Sequence, residues 1–156
     1  MVNNSNYSNS WDKALPAQVL GTLEEVILEE GITRIGNYSF YGTLSSTQQG
    51  KLTTVTLPST LESIGTSAFA GQKNMTLTIP AGLKELGESC FSGCGSSIFN
   101  GLSEGFPQGM ESIPAYAFYG CTSFTDLVIS ENIKSIGASA FYRCSNISSL
   151  TIAADL

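Results

Sequence analysis

One block is written five times along this chain: RIGNYSFYG (34–42), SIGTSAFAG (63–71), ELGESCFSGC (85–94), SIPAYAFYGC (112–121) and SIGASAFYRC (135–144). Aligned on the aromatic, Phe40, Phe69, Phe91, Phe118 and Phe141 follow one another at intervals of 29, 22, 27 and 23 residues. The intervals describe a unit of about 23 residues with two insertions, the mark of a repeat array. Five residues before each phenylalanine stands an apolar residue: Ile35, Ile64, Leu86, Ile113 or Ile136. Three residues before those come Ile32, Leu61, Leu83, Met110 and Ile133. Each unit therefore sends the same apolar groups inward at the same offsets.

Between the blocks lie short alternating segments: LEEVILEE (23–30), LTTVTLP (52–58), MTLTIP (75–80), FTDLVIS (124–130) and ISSLTIAA (147–154). In the second, Leu52, Val55 and Leu57 keep the inward register while Thr53, Thr54 and Thr56 point outward, the period of a half-buried strand. Pro58 and Pro80 close two of these runs, since proline has no N–H for a ladder. One such unit cannot bury its apolar face alone, but stacked copies cover one another. The expected architecture is a solenoid in which equivalent strands form a parallel sheet and the five phenylalanines stack along the inside.

The residue after the apolar anchor is Gly36, Gly65, Gly87 or Gly137, but Pro114 in the fourth copy. Proline holds φ near −65°. The expectation is a negative φ in every copy, with glycine present for lack of room.

These residues, above all LTTVTLPSTLESIGTSAFAG (52–71), resemble the BspA-like leucine-rich repeat, whose unit runs strand, Pro, apolar-x-x-Ile-Gly-x-x-Ala-Phe-x-x-Cys. The resemblance covers residues 23 to 154. It implies a leucine-rich-repeat solenoid of five to six coils, with a parallel β-sheet on one face and turns, 3-10 or helical segments returning the chain. The units fall near 23–51, 52–74, 75–100, 101–123, 124–146 and a partial 147–156, after a flexible polar tail and a cap or degenerate repeat over 1–22. Ser39 and Cys90 depart from the alanine, TLSSTQQGK (43–51) is an insertion, and the fourth strand is blurred within GSSIFNGLSEGFPQG (95–109). The resemblance also implies a microbial protein that is secreted or held at the cell surface, and an adhesin or interaction module rather than an enzyme.

Composition bears on function mainly by exclusion. The chain has 156 residues, enough to bury roughly two-thirds of its unfolded surface without metals or crosslinks. Charged residues make up 13%, against about 25% in an ordinary domain, so Ser, Thr, Asn, Gln and Gly must cover the surface. The net charge is −6 and Lys and Arg form no cluster, so no phosphate-neutralising stripe exists for a nucleic acid or an anionic membrane. No apolar run approaches the roughly 20 residues of a membrane span. MVNNSNYSNSW (1–11) lacks the basic start and apolar middle of a signal peptide. The sequence is therefore expected either to stay inside the cell or to be a piece of a longer exported chain.

Histidine is absent altogether, which removes the commonest general base, the Ser/His and Cys/His nucleophile pairs and the commonest zinc ligand. Cys94, Cys121 and Cys144 each stand three residues after a phenylalanine and stack in a solenoid. Neighbouring coils could be crosslinked through them, but one cysteine per coil reads better as buried free thiols, and Cys90, in the alanine slot, joins them. Glu24, Glu25, Glu29 and Glu30 are spread along a strand and its exit, so they suit a solvated face better than a Ca²⁺ loop. No metal and no cofactor is expected.

The outward strand positions hold Glu24, Glu25 and Ile27, then Thr53, Thr54 and Thr56, then Thr76 and Thr78, then Thr125, Asp126 and Val128, then Ser148, Ser149 and Thr151. Acids at opposite ends of such a face lie too far apart for a glycosidase pair. The hydroxyl field between them, with Thr54, Thr56, Thr76, Thr78, Thr125, Asp126 and Ser149, is the candidate surface for a protein or carbohydrate ligand. Thr is also simply a good exposed strand former. The insertions near 44–51 and 98–106, the latter with the exposed-looking Phe99, Leu102 and Phe106, are rival contact sites; the alternative is that they fold back on the solenoid. At the front, Trp11, Leu15, Val19 and Leu20 could plug the first coil. At the back, LTIAADL (150–156) follows a strand without a cap, which suggests a longer chain or self-association through that edge.

Overall fold

The computed structural model describes residues 10–11, 22–42 and 51–153. Two sets of short strands alternate along the chain. The first set is β2 (Glu25–Ile27), β4 (Thr54–Thr56), β6 (Thr76–Thr78), β8 (Ile98–Asn100), β10 (Asp126–Ile129) and β12 (Ser149–Ile152). The second is β1 (Ser10–Trp11), β3 (Arg34–Ile35), β5 (Ser63–Ile64), β7 (Glu85–Leu86), β9 (Ser112–Ile113) and β11 (Ser135–Ile136). Every pairing is parallel and joins equivalent strands of neighbouring coils. From β2 to β11 the chain makes five coils, each with one strand of either set, and β12 opens a sixth.

The alternation of LTTVTLP is realised in β4, where Val55 is buried and Thr54 and Thr56 are exposed. The phenylalanine ladder forms as the spacing requires. Phe40 and Phe69 stack at 5.2 Å, Phe69 and Phe91 at 5.7 Å, Phe91 and Phe118 at 5.4 Å, and Phe118 and Phe141 at 5.5 Å, with interplanar angles of 2° to 21°. Around it pack the apolar strand residues and anchors, including Val55, Leu77, Ile35, Ile64, Leu83 and Met110, in one continuous core.

No described residue is helical. The chain returns through turns and the second strand ladder, which carries the apolar anchors Ile35, Ile64, Leu86, Ile113 and Ile136. Each Ile-Gly turn then contains a left-handed residue that sequence reading does not single out: Tyr38, Ser67, Ser89, Tyr116 and Ser139, at φ 52–57°. Their amides lock coil to coil, Tyr38, Ser67, Ser89 and Tyr116 donating to Thr66, Glu88, Ala115 and Ala138 carbonyls. The anchor glycines behave as expected: Gly36, Gly65, Gly87 and Gly137 have no positive φ. A Cβ on Gly87 or Gly137 would lie 2.3 Å from a backbone nitrogen of the preceding coil. Two coils pass too close there for a side chain.

Both ladders break at the fourth coil, for different reasons. Gly65, Gly87 and Gly137 each donate their N–H to the anchor carbonyl of the coil before, at 2.7–2.8 Å. Pro114 occupies that position in the fourth coil and has no N–H to give. β7 and β9 are accordingly unpaired. In the first ladder β8 does not pair with β10. Leu127 follows Cys121 by six residues where Phe99 follows Cys94 by five, so the register slips by one residue between Phe124 and Leu127. Phe124 stacks on Phe99 at 5.6 Å and fills the gap beside the main ladder.

The fourth strand, unplaced by the sequence within 95–109, is β8, so the fourth coil opens before the expected boundary at 101. At the front, Ser10↔Arg34 and Trp11↔Ile35 extend the second ladder by one strand. Residues 1–9 and 12–21 of the expected tail and cap, with Leu15, Val19 and Leu20 of the expected plug, and insertion residues 43–50 lie outside the described residues.

Candidate recognition surface

Parallel pairing turns the outward strand residues into columns. Glu25, Thr54, Thr76 and Ile98 form one, and Ile27 with Thr56, followed by Thr78 with Asn100, the other. Past the break, Asp126 faces Ser149 and Val128 faces Thr151. Thr54, Thr56, Thr78, Thr125, Asp126 and Ser149 are exposed and Thr76 is half-buried, so all seven candidate residues reach the surface. The structure divides them. Thr54, Thr56, Thr76 and Thr78 share the four-stranded sheet, whereas Asp126 and Ser149 belong to the β10–β12 pair and Thr125 immediately precedes β10. Thr125 donates its hydroxyl to Asp126 Oδ2 at 3.0 Å, which ties the two together.

Two members of this face escaped sequence reading because the fourth strand could not be placed. Ile98 and Asn100 close the two columns, and Ile98 is 51% exposed. Ile27, at the diagonally opposite corner, is 57% exposed. The threonines thus lie between two uncovered isoleucines.

The reading of Phe99, Leu102 and Phe106 as exposed contact residues is corrected: all three are buried. Phe99 packs edge-on against Phe91 and Phe118, and Phe106 lies against Phe118 and Phe141. Ser130 anchors the loop by accepting the Phe106 N–H on Oγ at 2.8 Å. Asn132 Nδ2 donates to the Pro107 and Met110 carbonyls. The insertion widens the fourth coil, and its aromatics fill the extra width.

The cysteines are all buried free thiols. Cys94, Cys121 and Cys144 donate their S–H to the carbonyls of Phe69, Phe91 and Phe118, one coil back, at 3.1–3.3 Å. In the second coil Gln72 takes the slot, and its Nε2 donates to the Phe40 carbonyl at 2.8 Å. The slot therefore wants a small buried donor, not a crosslink. Burial raises the Cys90 thiol pKa far above its usual range and pushes Cys144 up to about 11. Contact with Cys94, together with burial, raises Cys121 as well. None of these three is a thiolate near neutral pH, as a nucleophile or metal ligand would have to be.

Glu30 is not just part of a solvated acidic face. Its carboxylate accepts the Ser59 N–H at 2.8 Å, the Ser59 hydroxyl at 2.9 Å and the Thr60 N–H at 3.3 Å, tying the first coil to the second. The Ser59 bonds hold its pKa below the usual carboxylate value. Among the described residues no three Cys, Asp or Glu side chains gather as a metal site. Glu25 and Asp126 stand four strands apart on the outward face, roughly 20 Å at the spacing of a β-ladder. No described helix is long and apolar enough to cross a membrane.

The geometry of the described residues is therefore that of a repeat solenoid. The sequence profile of the BspA type leucine rich repeat region, in six copies, matches residues 19–98 and 46–156. The chain belongs to the BspA-type leucine-rich repeat family. Two solved bacterial leucine-rich repeat proteins share the fold. A leucine-rich repeat protein from Eubacterium ventriosum superposes with a TM-score of 0.64 at 21% identity, over 88% of this chain and 34% of its own. One from Bacteroides ovatus gives 0.61 at 22% identity, over 84% and 38%. A leucine rich cell surface protein from Faecalibacterium prausnitzii gives 0.49 at 21% identity, over 86% and 43%. This BspA-type chain thus spans about a third of the length of the first two structures. A search of curated proteins returns no match. The BspA-type family and fold are typically non-catalytic.

Proposed function

We propose that this chain is a non-catalytic recognition module of a microbial surface or secreted protein, binding a host protein or glycan through the outward face of β2, β4, β6 and β8. One observation carries the reading. The exposed hydroxyls of Thr54, Thr56 and Thr78 lie between Ile27 and Ile98, two isoleucines more than half exposed on the same sheet. Polar strand formers alone would give a solvated sheet, whereas uncovered aliphatic groups beside fixed hydroxyls give a ligand both burial and hydrogen bonds. The backbone is held by ladders on both sides, so little ordering entropy is lost on binding.

The test is a binding screen of the purified chain against matrix proteins and glycans. Thr54→Arg and Thr76→Arg are expected to abolish a saturable interaction while leaving the circular dichroism spectrum unchanged. Retention of that interaction by Thr54→Arg and Thr76→Arg, or absence of saturable binding to every ligand, would refute the proposal.

A second reading, self-assembly, is favoured by the last strand. Leu150 continues the inward register of Leu127, yet it is 56% exposed. A second copy laid on β12 would cover Leu150 and Ile152. Sedimentation that becomes concentration-dependent, and reverts to monomer in Leu150→Lys, is the expected signature.

A further inference from the structure

On the turns of the fourth and fifth coils stands a cluster that the strand-face reading does not use. Tyr119 and Tyr142 each follow a ladder phenylalanine and point away from the core, stacking on one another at 5.6 Å. Tyr116 leans on Tyr119 at 6.0 Å. The Arg143 guanidinium lies over both stacked rings, 5.8 Å from the Tyr119 centroid and 5.7 Å from that of Tyr142. Tyr142 is 57% exposed. In the second and third coils that position is held by Ala70 and Ser92, while the first coil has Tyr41, which meets Tyr38 edge-on but has no arginine over it among the described residues. The repeat itself does not require aromatics there.

The backbone beneath is equally unusual. Arg143 has φ 62°, and the same position in the three preceding coils is Gly71, Gly93 and Gly120, at φ 82°, 71° and 72°. The turn demands a left-handed residue, which glycine supplies without cost and an arginine does not. An arginine held left-handed where three other coils use glycine points to a role for its side chain. Among the described residues no carboxylate pairs with Arg143, whereas Lys84 and Lys134 pair with Glu62 and Glu111.

We propose that Tyr116, Tyr119, Tyr142 and Arg143 form a docking site for a protein segment bearing a carboxylate beside an apolar group. The tyrosines spend ring faces on each other and on the guanidinium, so what they offer outward is ring edge, hydroxyl and the guanidinium fork. The fork matches a carboxylate with two parallel hydrogen bonds. Tyrosine and arginine are also the residues on which protein interfaces concentrate their binding energy. The guanidinium makes this spot locally positive in a chain of net charge −6, so an acidic group is favoured here over the remaining surface.

The test uses a displayed random dodecapeptide library selected on the immobilised chain, followed by titration of the enriched peptides in solution. Enriched peptides should carry Asp or Glu next to an aromatic or aliphatic residue. Their affinity should fall roughly tenfold or more in Arg143→Gly, the loss expected for a charge-assisted pair, and also in Tyr142→Ser. Both substitutions install residues that other coils already use, Gly120 and Ser92, so misfolding cannot account for the loss. Lys134→Ser, a change of the same charge in the same coil, should leave affinity unaltered. Enrichment of no peptide, or peptides indifferent to Arg143→Gly, would overturn the proposal. So would Arg143-dependent binding of acidic oligosaccharides in place of peptides, which would assign the site to carbohydrate. None of these variants touches the strand face, so failure here and failure of the strand-face reading are separate results.

Discussion

Replacing Gly87 by alanine tests whether the anchor glycines are set by space between coils or by backbone freedom. Gly87 has no positive φ, and at such a position Gly→Ala ordinarily stabilises by about 0.4–1 kcal/mol through the unfolded chain. The packing here reverses the sign. The new Cβ would lie 2.3 Å from Thr66 N and 2.5 Å from the Gly65 carbonyl carbon, where ordinary contact begins at 3.4 Å. Relief requires neighbouring coils to part by about 1 Å. Two bonds cross that seam beside the clash, Gly87 N–H to Ile64 O at 2.7 Å and Ser67 N–H to Glu88 O at 2.9 Å. Lengthened by about 1 Å they leave the hydrogen-bond range. At about 1–3 kcal/mol for each bond lost, the expected loss is roughly 2–6 kcal/mol. Urea unfolding followed by far-UV circular dichroism reads this directly, as a lower midpoint at unchanged slope. Ser89→Gly, two residues on at φ 55°, should by contrast be neutral or mildly stabilising, since it relieves a left-handed conformation. A Gly87→Ala protein within about 0.5 kcal/mol of the parent, the scatter of an innocuous surface change, would refute the close-approach argument.

Phe91→Ala, at a fully buried ring stacked on both sides, should cost about 3–5 kcal/mol, and Phe141→Ala at the half-buried end of the ladder clearly less, by the same urea assay. The depressed Glu30 pKa makes stability pH-dependent: the carboxylate's contribution is full above the ordinary value of 4.5 and is lost as pH falls through the lower folded-state value. Comparison of the parent with Glu30→Gln across that range should show the difference between them shrinking toward acid, and a constant offset would contradict it. All four thiols should resist iodoacetamide near pH 8 in the folded protein and react fully in urea, with no disulfide detected by mass spectrometry.

The core of this protein is legible because a stacked repeat makes sequence offset and spatial position the same thing. Phe40, Phe69, Phe91, Phe118 and Phe141 could be placed one above another from spacing alone, and Pro114 showed that its neighbours Gly87 and Gly137 were not there for a left-handed turn. The candidate face was legible where strands alternate cleanly, as in Thr54–Thr56 and Thr76–Thr78. It was not legible at Ile98 and Asn100, because Phe99 sits in a segment with apolar residues at several registers and an insertion behind it. Phe106 misled for a related reason: an aromatic in an inserted loop has no repeat partner to reveal which way it points.

Sequence alone determined the period, the inward-facing residues and the absence of the histidine chemistry on which many enzymes depend, since each follows from residue identity at fixed spacing. Tertiary structure decided what depends on distances between coils. It placed the break of both ladders at the fourth coil, the thiol bonds to phenylalanine carbonyls, the left-handed residue in every turn, and the gathering of Tyr119, Tyr142 and Arg143 across two coils. The physical reason is that a repeat fixes which side a residue faces through local geometry, whereas what it touches there is set by the neighbouring coil, whose own insertions shift it in or out of register.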